Sequence, residues 1–190
     1  MATKQQIRII AGKWRSRQLR FPDIPGLRPT GDRIRETLFN WLAPNISGSR
    51  CVDLFSGSGA LCFEALSRGA VHCLALEQHP KAITCLTESK SLLNASELTI
   101  AHKDTLQYLQ QSPDKPYDIV FVDPPFDLNL INQVCSLLEA NNWIASGGAI
   151  YCELPVEQKN FAPPANWQVL RNKATSGVNY ILFSRIEPKA

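Results

Sequence analysis

The sequence predicts an α/β fold around a mostly parallel sheet, and three observations carry that prediction. From Cys51 onward, short apolar runs alternate with helix-period segments, which marks βαβ units. A glycine-rich turn, Gly57-Ser58-Gly59, follows the first of these runs, and the run from Tyr117 to Val122 stops at Pro124-Pro125. Proline has no N–H for a strand ladder, so a proline pair ends the strand there.

Taken in order, Ile7 to Ala11 and Gln18 to Phe21 read as two short strands. Gly26 to Gly31 is a turn-rich connector into a helix starting near Asp32, with Ile34, Leu38, Trp41 and Leu42 on one stripe. The α/β body pairs Cys51 to Phe55 with Ala60 to Ser67, Cys73 to Leu76 with Lys81 to Leu93, and Leu98 to Ala101 with Leu106 to Leu109. After the Tyr117 to Val122 strand comes a helix near Leu130 to Glu139. A Gly147-Gly148 turn then precedes a strand from Ala149 to Leu154. Trp167 to Leu170 and Asn179 to Ser184 are suited to a closing hairpin.

The 190 residues, 44% hydrophobic and 19% charged, fit one globular domain. No run approaches the roughly 18 apolar residues needed to span a bilayer, and Met1 to Arg20 has no secretory h-region. The acid-free opening also suits a transit peptide, but it carries one serine and alternates like a strand. A cytoplasmic protein is expected. The six cysteines lie ten or more residues apart with no CxxC pair, which predicts buried free thiols and no metal site. Charge is uneven: residues 1–50 carry ten Lys/Arg against three acids, and residues 51–190 carry ten against fourteen. A basic end on a near-neutral body fits a polyanionic partner.

Val52 to Ala60 is a strand, a glycine turn and a helix start, which lets a ligand approach backbone at the sheet's carboxyl edge. Glu77 closes the next strand 20 residues after Gly57, where a carboxylate can accept from both ribose hydroxyls. Cys62 stands where a dinucleotide fingerprint requires its third glycine, which disfavours an NAD-dependent oxidoreductase. Asp104, after the third strand, is placed to meet an adenine amine or to cap a helix.

Asp123-Pro124-Pro125-Phe126 suits the chemistry of an exocyclic base amine, whose lone pair is delocalised into the ring. If the Asp123 carboxylate and the Pro124 carbonyl both accept from the NH2 group, the nitrogen becomes more pyramidal and its lone pair can be aimed. Phe126 would stack on the base, and the prolines would lock the loop. A base inside a duplex cannot reach such a pocket, so the target is unpaired or flipped.

These motifs, with Leu27-Arg28-Pro29-Thr30-Gly31-Asp32-Arg33-Ile34-Arg35-Glu36-Thr37-Leu38-Phe39-Asn40-Trp41-Leu42 and Ile7-Arg8-Ile9-Ile10-Ala11-Gly12-Lys13-Trp14-Arg15, resemble the bacterial 16S ribosomal RNA guanine-N2 methyltransferase family called RsmD. The resemblance runs from Ile7 to Tyr180, with Ala11-Gly12 where many relatives have Gly-Gly. It implies a class I S-adenosylmethionine-dependent methyltransferase fold, Rossmann-like, with a seven-stranded mostly parallel sheet. Residues 1–26 would be a basic β-hairpin extension contacting RNA, and residues 27–190 the methyltransferase domain. It further implies modification of guanine 966 in 16S ribosomal RNA within a 30S particle or assembly intermediate.

Carried over, Asp53, Phe55, Gly57, Ser58 and Gly59 shape the methionine end of an S-adenosylmethionine site. Glu77 and Gln78 meet the ribose, and Asp104 with Thr105 the adenine. Thr30, Arg33 and Glu36 line the mouth of the cofactor or RNA site. Asp123, Pro124, Pro125 and Phe126 form the catalytic loop, and Arg8, Lys13, Trp14, Arg15, Arg17 and Arg28 contact RNA. A monomer is expected. The alternatives left open are an adenine-N6 methyltransferase, whose loop D-P-P-F also resembles, and a non-catalytic RNA-binding assembly factor.

Overall fold

The computed structural model describes residues 5–25, 27 and 29–187, the side chain of residue 127 apart. In chain order the elements are β1 (Gln6–Arg8), β2 (Gln18–Arg20), α1 (Asp32–Trp41), β3 (Arg50–Asp53), α2 (Ala60–Ser67), β4 (His72–Glu77) and α3 (Pro80–Leu93). There follow β5 (Leu98–His102), α4 (Thr105–Tyr108), β6 (Tyr117–Val122), α5 (Ile131–Ala140), β7 (Ile144–Pro155), β8 (Trp167–Ala174) and β9 (Val178–Arg185). A seven-stranded sheet runs β5-β4-β3-β6-β7-β9-β8. Its first five strands are parallel, and β9 joins β7 and β8 antiparallel. The order reverses between β3 and β6, and ligands of open α/β sheets bind at such a switch point.

Period-2 alternation splits the core into two layers. On β6, Ile119 and Phe121 face α1, α2 and the N-terminal hairpin, while Val120 and Val122 face α5. The hairpin β1–β2 belongs to the first layer, because Ile7, Ile9 and Leu19 are buried against it. Among the described residues, no helix is long and apolar enough to cross a membrane.

Two expectations change. The buried stripe of α1 and the residue after it is Arg35, Leu38, Phe39 and Leu42, rotated from the apolar reading, with Ile34 and Trp41 at its margins. Gly147-Gly148 is no turn before β7 but lies inside it. The β6–β7 register slips from Tyr117↔Ile144 to Ile119↔Ala149, and Gly147 sits at φ +71°. A bulge takes up extra residues without ending the strand, and glycine adopts its positive φ freely.

Candidate active site

The carboxyl ends of β3, β4, β5 and β6 deliver Asp53, Glu77, Asp104 and Asp123 to one edge of the sheet. At the opposite edge lies a polar cleft of about 430 Å³ lined by residues such as Asn45, Ser47, Asp118 and Gly148. Open α/β sheets do not place their ligands there.

Asp53 is buried, and its Oδ1 has no hydrogen-bond partner. Burial pushes this carboxyl up to about 7 against a backbone hydrogen bond from Phe55, and the Glu77 charge adds to the rise. An acceptor left unpaired in the interior is costly, and a cationic or N–H-bearing ligand would relieve it. Gly57 and Gly59 hold positive φ of +50° and +78°. A Cβ on Gly59 would stand 2.7 Å from Leu86 Cδ2 and from the Phe63 ring. Ser58 is buried between them, and Phe55 is half-buried.

Glu77 is fixed by three backbone amides: Oε2 accepts from Gly57 at 2.8 Å, and Oε1 accepts from Gln78 at 2.8 Å and His79 at 2.7 Å. A carboxylate has about four acceptor positions, so acceptance from both ribose hydroxyls requires one of these three bonds to give way. Gln78 is exposed beside it. Asp104 caps α4, its Oδ1 accepting from Gln107 N at 2.9 Å, and the Thr105 hydroxyl donates to the Leu54 carbonyl at 2.6 Å. The Thr105 hydroxyl thus joins α4 to the end of β3.

Asp123 leaves β6 half-buried, Pro124 is buried, and Phe126 is 40% exposed at the mouth. Thr30, buried, donates from Oγ1 to Asp123 Oδ2 at 3.3 Å, so the segment before α1 reaches the loop after β6. Arg33 and Glu36 are exposed on α1 and form no ion pair among the described residues.

Among the basic candidates, the structure separates anchors from free cations. Lys13 is drawn to Glu97 at 2.6 Å and lies 4.4 Å from the Trp14 ring centroid. Trp14 meets Phe63 edge-on at 6.4 Å and packs on the core, half-buried, so part of its ring docks the hairpin. Arg8 lies 3.7 Å from Asp32, while Arg15 and Arg17 are exposed without an ion pair among the described residues. Arg28 lies outside the described residues.

Residue types alone missed four participants. Glu64, fully buried, accepts from Ile10 N at 2.8 Å, Ala11 N at 3.1 Å and Arg68 Nε at 2.7 Å, with Arg35 Nη1 at 3.6 Å. Arg35 in turn donates to the carbonyls of Thr30 at 3.1 Å and Arg8 at 2.9 Å, and to Asp32 at 2.6 Å. Glu153 and Tyr151 on β7 lie beside Asp123. A charge within an apolar stripe was the available signal: Arg35 in α1, Glu64 in ALCFEALS and Glu153 in AIYCELP.

Residues 7–184 match the family described as Conserved hypothetical protein 95. The "Ribosomal RNA small subunit methyltransferase D" of Escherichia coli (strain K12) is 46% identical over 180 residues, covering 95% of this chain and 90% of that one. The chain belongs to this family. The Haemophilus influenzae member is 44% identical over 183 residues, covering 95% of this chain and 94% of its own. A solved methyltransferase structure from Escherichia coli superposes with a TM-score of 0.90 at 42% identity, covering 96% of this chain and 99% of that one. The family's methyltransferase fold, with its seven-stranded mostly parallel sheet and added hairpin, is therefore the fold of this chain.

Proposed function

We propose that this chain transfers a methyl group from S-adenosylmethionine to the exocyclic N2 of a guanine in ribosomal RNA. Position 966 of 16S ribosomal RNA, within a 30S particle or assembly intermediate, is the target. The supporting observation is Asp123-Pro124-Pro125-Phe126 at the carboxyl end of β6, beside the unpaired acceptor of Asp53 and the glycine turn.

The residues fit the cofactor: an unpaired buried carboxylate oxygen suits an ammonium, and a glycine turn with positive φ admits a ligand close to backbone. When bound, S-adenosylmethionine would supply a methyl carbon on positive sulfur for the amine nitrogen, with the C–S bonding pair left on sulfur and one amine proton lost to solvent. Asp53 and the Gly57–Gly59 turn hold the methionine end, and Glu77 orients the ribose. Asp123 and the Pro124 carbonyl accept from the base amine, and Phe126 covers the base plane. The two prolines hold these acceptors in place, and orientation of this kind lowers a barrier by up to about 7–11 kcal/mol. Arg15 and Arg17 meet RNA phosphates, and the chain works as a cytoplasmic monomer.

The test is transfer of labelled methyl to 30S particles, naked 16S RNA and DNA in parallel, with the modified nucleoside identified. N2-methylguanosine from RNA is expected. N6-methyladenine from DNA would overturn the substrate, and absence of transfer would leave a binding protein.

A further inference from the structure

Two carboxyls share the amine-binding end of the site. The β6–β7 ladder pairs Val122 with Cys152, so the next residues along, Asp123 and Glu153, stand side by side where β6 ends. Glu153 is 4% exposed and accepts from Tyr151 Oη at 2.7 Å. The Thr30 hydroxyl donates to Asp123 Oδ2 at 3.3 Å. The other groups facing the pair are Asp53 from β3, Tyr151 from β7 and Tyr180 opposite Glu153 on β9. Among the described residues, no Lys, Arg or His forms an ion pair with either acid. Two adjacent carboxyls, one half-buried and one buried, with no cation paired to them among the described residues do not both ionise readily; they hold a proton between them.

We propose that Glu153 is a positioning residue for the methyl transfer: it makes Asp123 retain a proton, which Asp123 gives up when a positive sulfur enters the site, leaving the carboxylate that accepts from the amine. The hydrogen bonds decide which acid is charged. Tyr151 stabilises the Glu153 anion with a hydrogen bond of 2.7 Å, whereas Asp123 has only the longer Thr30 bond of 3.3 Å. Burial, and then the Glu153 charge, push Asp123 well above the carboxylate range. The arrangement keeps three acids from repelling one another before the cofactor binds and frees an acceptor when it is needed. This inference rests on the reading of Asp123 as the amine acceptor.

The test counts protons released on binding S-adenosylmethionine at neutral pH, by calorimetry in two buffers of different ionisation enthalpy. Wild type is expected to release at least about half a proton more than Glu153→Gln, because without the Glu153 charge Asp123 holds its proton less tightly. It should also release more with S-adenosylmethionine than with S-adenosylhomocysteine, whose sulfur is neutral. The acid limb of kcat/KM in Glu153→Gln should move down by about one pH unit or more, which a merely structural residue would not do. If Glu153→Gln does not fold, Tyr151→Phe, which weakens the Glu153 anion, should lower the proton count in the same direction. Equal proton counts and an unmoved limb, with Asp123→Ala inactive, would overturn this inference alone. Full activity of Asp123→Ala would overturn the reading of Asp123 itself.

Discussion

Glu64→Gln tests the packing of the hairpin most directly. The native carboxylate is wholly buried and meets two hairpin amides, Arg68 Nε and the equally buried Arg35 guanidinium. Glutamine keeps the volume but removes the charge, and its NH2 group must point at one of these donors. Breaking a buried pair from one side costs about 3–5 kcal/mol, because the remaining charge is uncompensated. Asp32, 2.6 Å from Arg35 but 56% exposed, offsets little of that loss. For a domain of this size the melting temperature should fall by about 6–20 °C. Chemical denaturation should show a lower midpoint at an unchanged slope, and the Ile10 and Ala11 amides should exchange faster. The exposed Lys13–Glu97 pair is the internal reference, since Glu97→Gln should cost less than about 1 kcal/mol. If Glu64→Gln costs no more than Glu97→Gln, the contacts of Glu64 with Ile10, Ala11, Arg68 and Arg35 do not hold the hairpin.

Asp123→Ala should abolish methyl transfer while leaving S-adenosylmethionine affinity within a few-fold, measured by turnover and calorimetry; unchanged turnover would sink the assignment. Replacing Arg15 and Arg17 by Ala should flatten the log-log salt dependence of RNA binding by about 0.7–0.9 per lost phosphate contact, and an unaltered slope would move the RNA site elsewhere. Gly12, at φ +83°, has no room for a Cβ, which would fall 1.8 Å from the Ser67 carbonyl oxygen. Gly12→Ala should therefore displace the hairpin and lose the Lys13 N–H to Ser67 bond of 2.8 Å, seen as faster exchange at that amide. Asp53 binds its proton more tightly folded than unfolded, about 7 against 3.8, so its contribution is full below 3.8 and is lost as pH rises through 7. Asp53→Asn should remove that slope and raise stability at pH 8, by at most on the order of 4 kcal/mol, and an unchanged pH profile of unfolding would refute it.

The parallel strands were legible because burial on both faces writes itself as continuous apolar runs, and Pro124-Pro125 marked where β6 stops. The glycine turn and the acid ending β4 were legible for the same local reason. The bulge at Gly147-Gly148 was not, since two glycines read alike as a turn or as an interruption within a strand. Nor does the sequence show that Lys13 and Trp14, read as RNA contacts, also meet Glu97 and Phe63. Arg35, Glu64 and Glu153 escaped notice for a related reason. What lets a charge be buried is its set of partners, and some of these lie far along the chain: 54 residues separate Ile10 from Glu64, and 27 separate Arg8 from Arg35.

The position of Arg35 explains why a basic hairpin needs so firm an attachment. One guanidinium holds the Arg8 carbonyl at the end of β1 and the Thr30 carbonyl before α1, and Thr30 touches Asp123 with its side chain. Under the proposed function, phosphate contacts by Arg15 and Arg17 would be useful for catalysis only if they placed the target base at a set distance from Asp123. A flexible hairpin would bind RNA equally well yet lose that register, and misplacement of about 1 Å can cost about a hundredfold in rate. Burying Arg35 and Glu64 is expensive in isolation, and an apolar pair could hold the layers together as well. A guanidinium, with donors diverging in one plane, can fasten two backbone carbonyls and two carboxylates at once, which no apolar side chain can do.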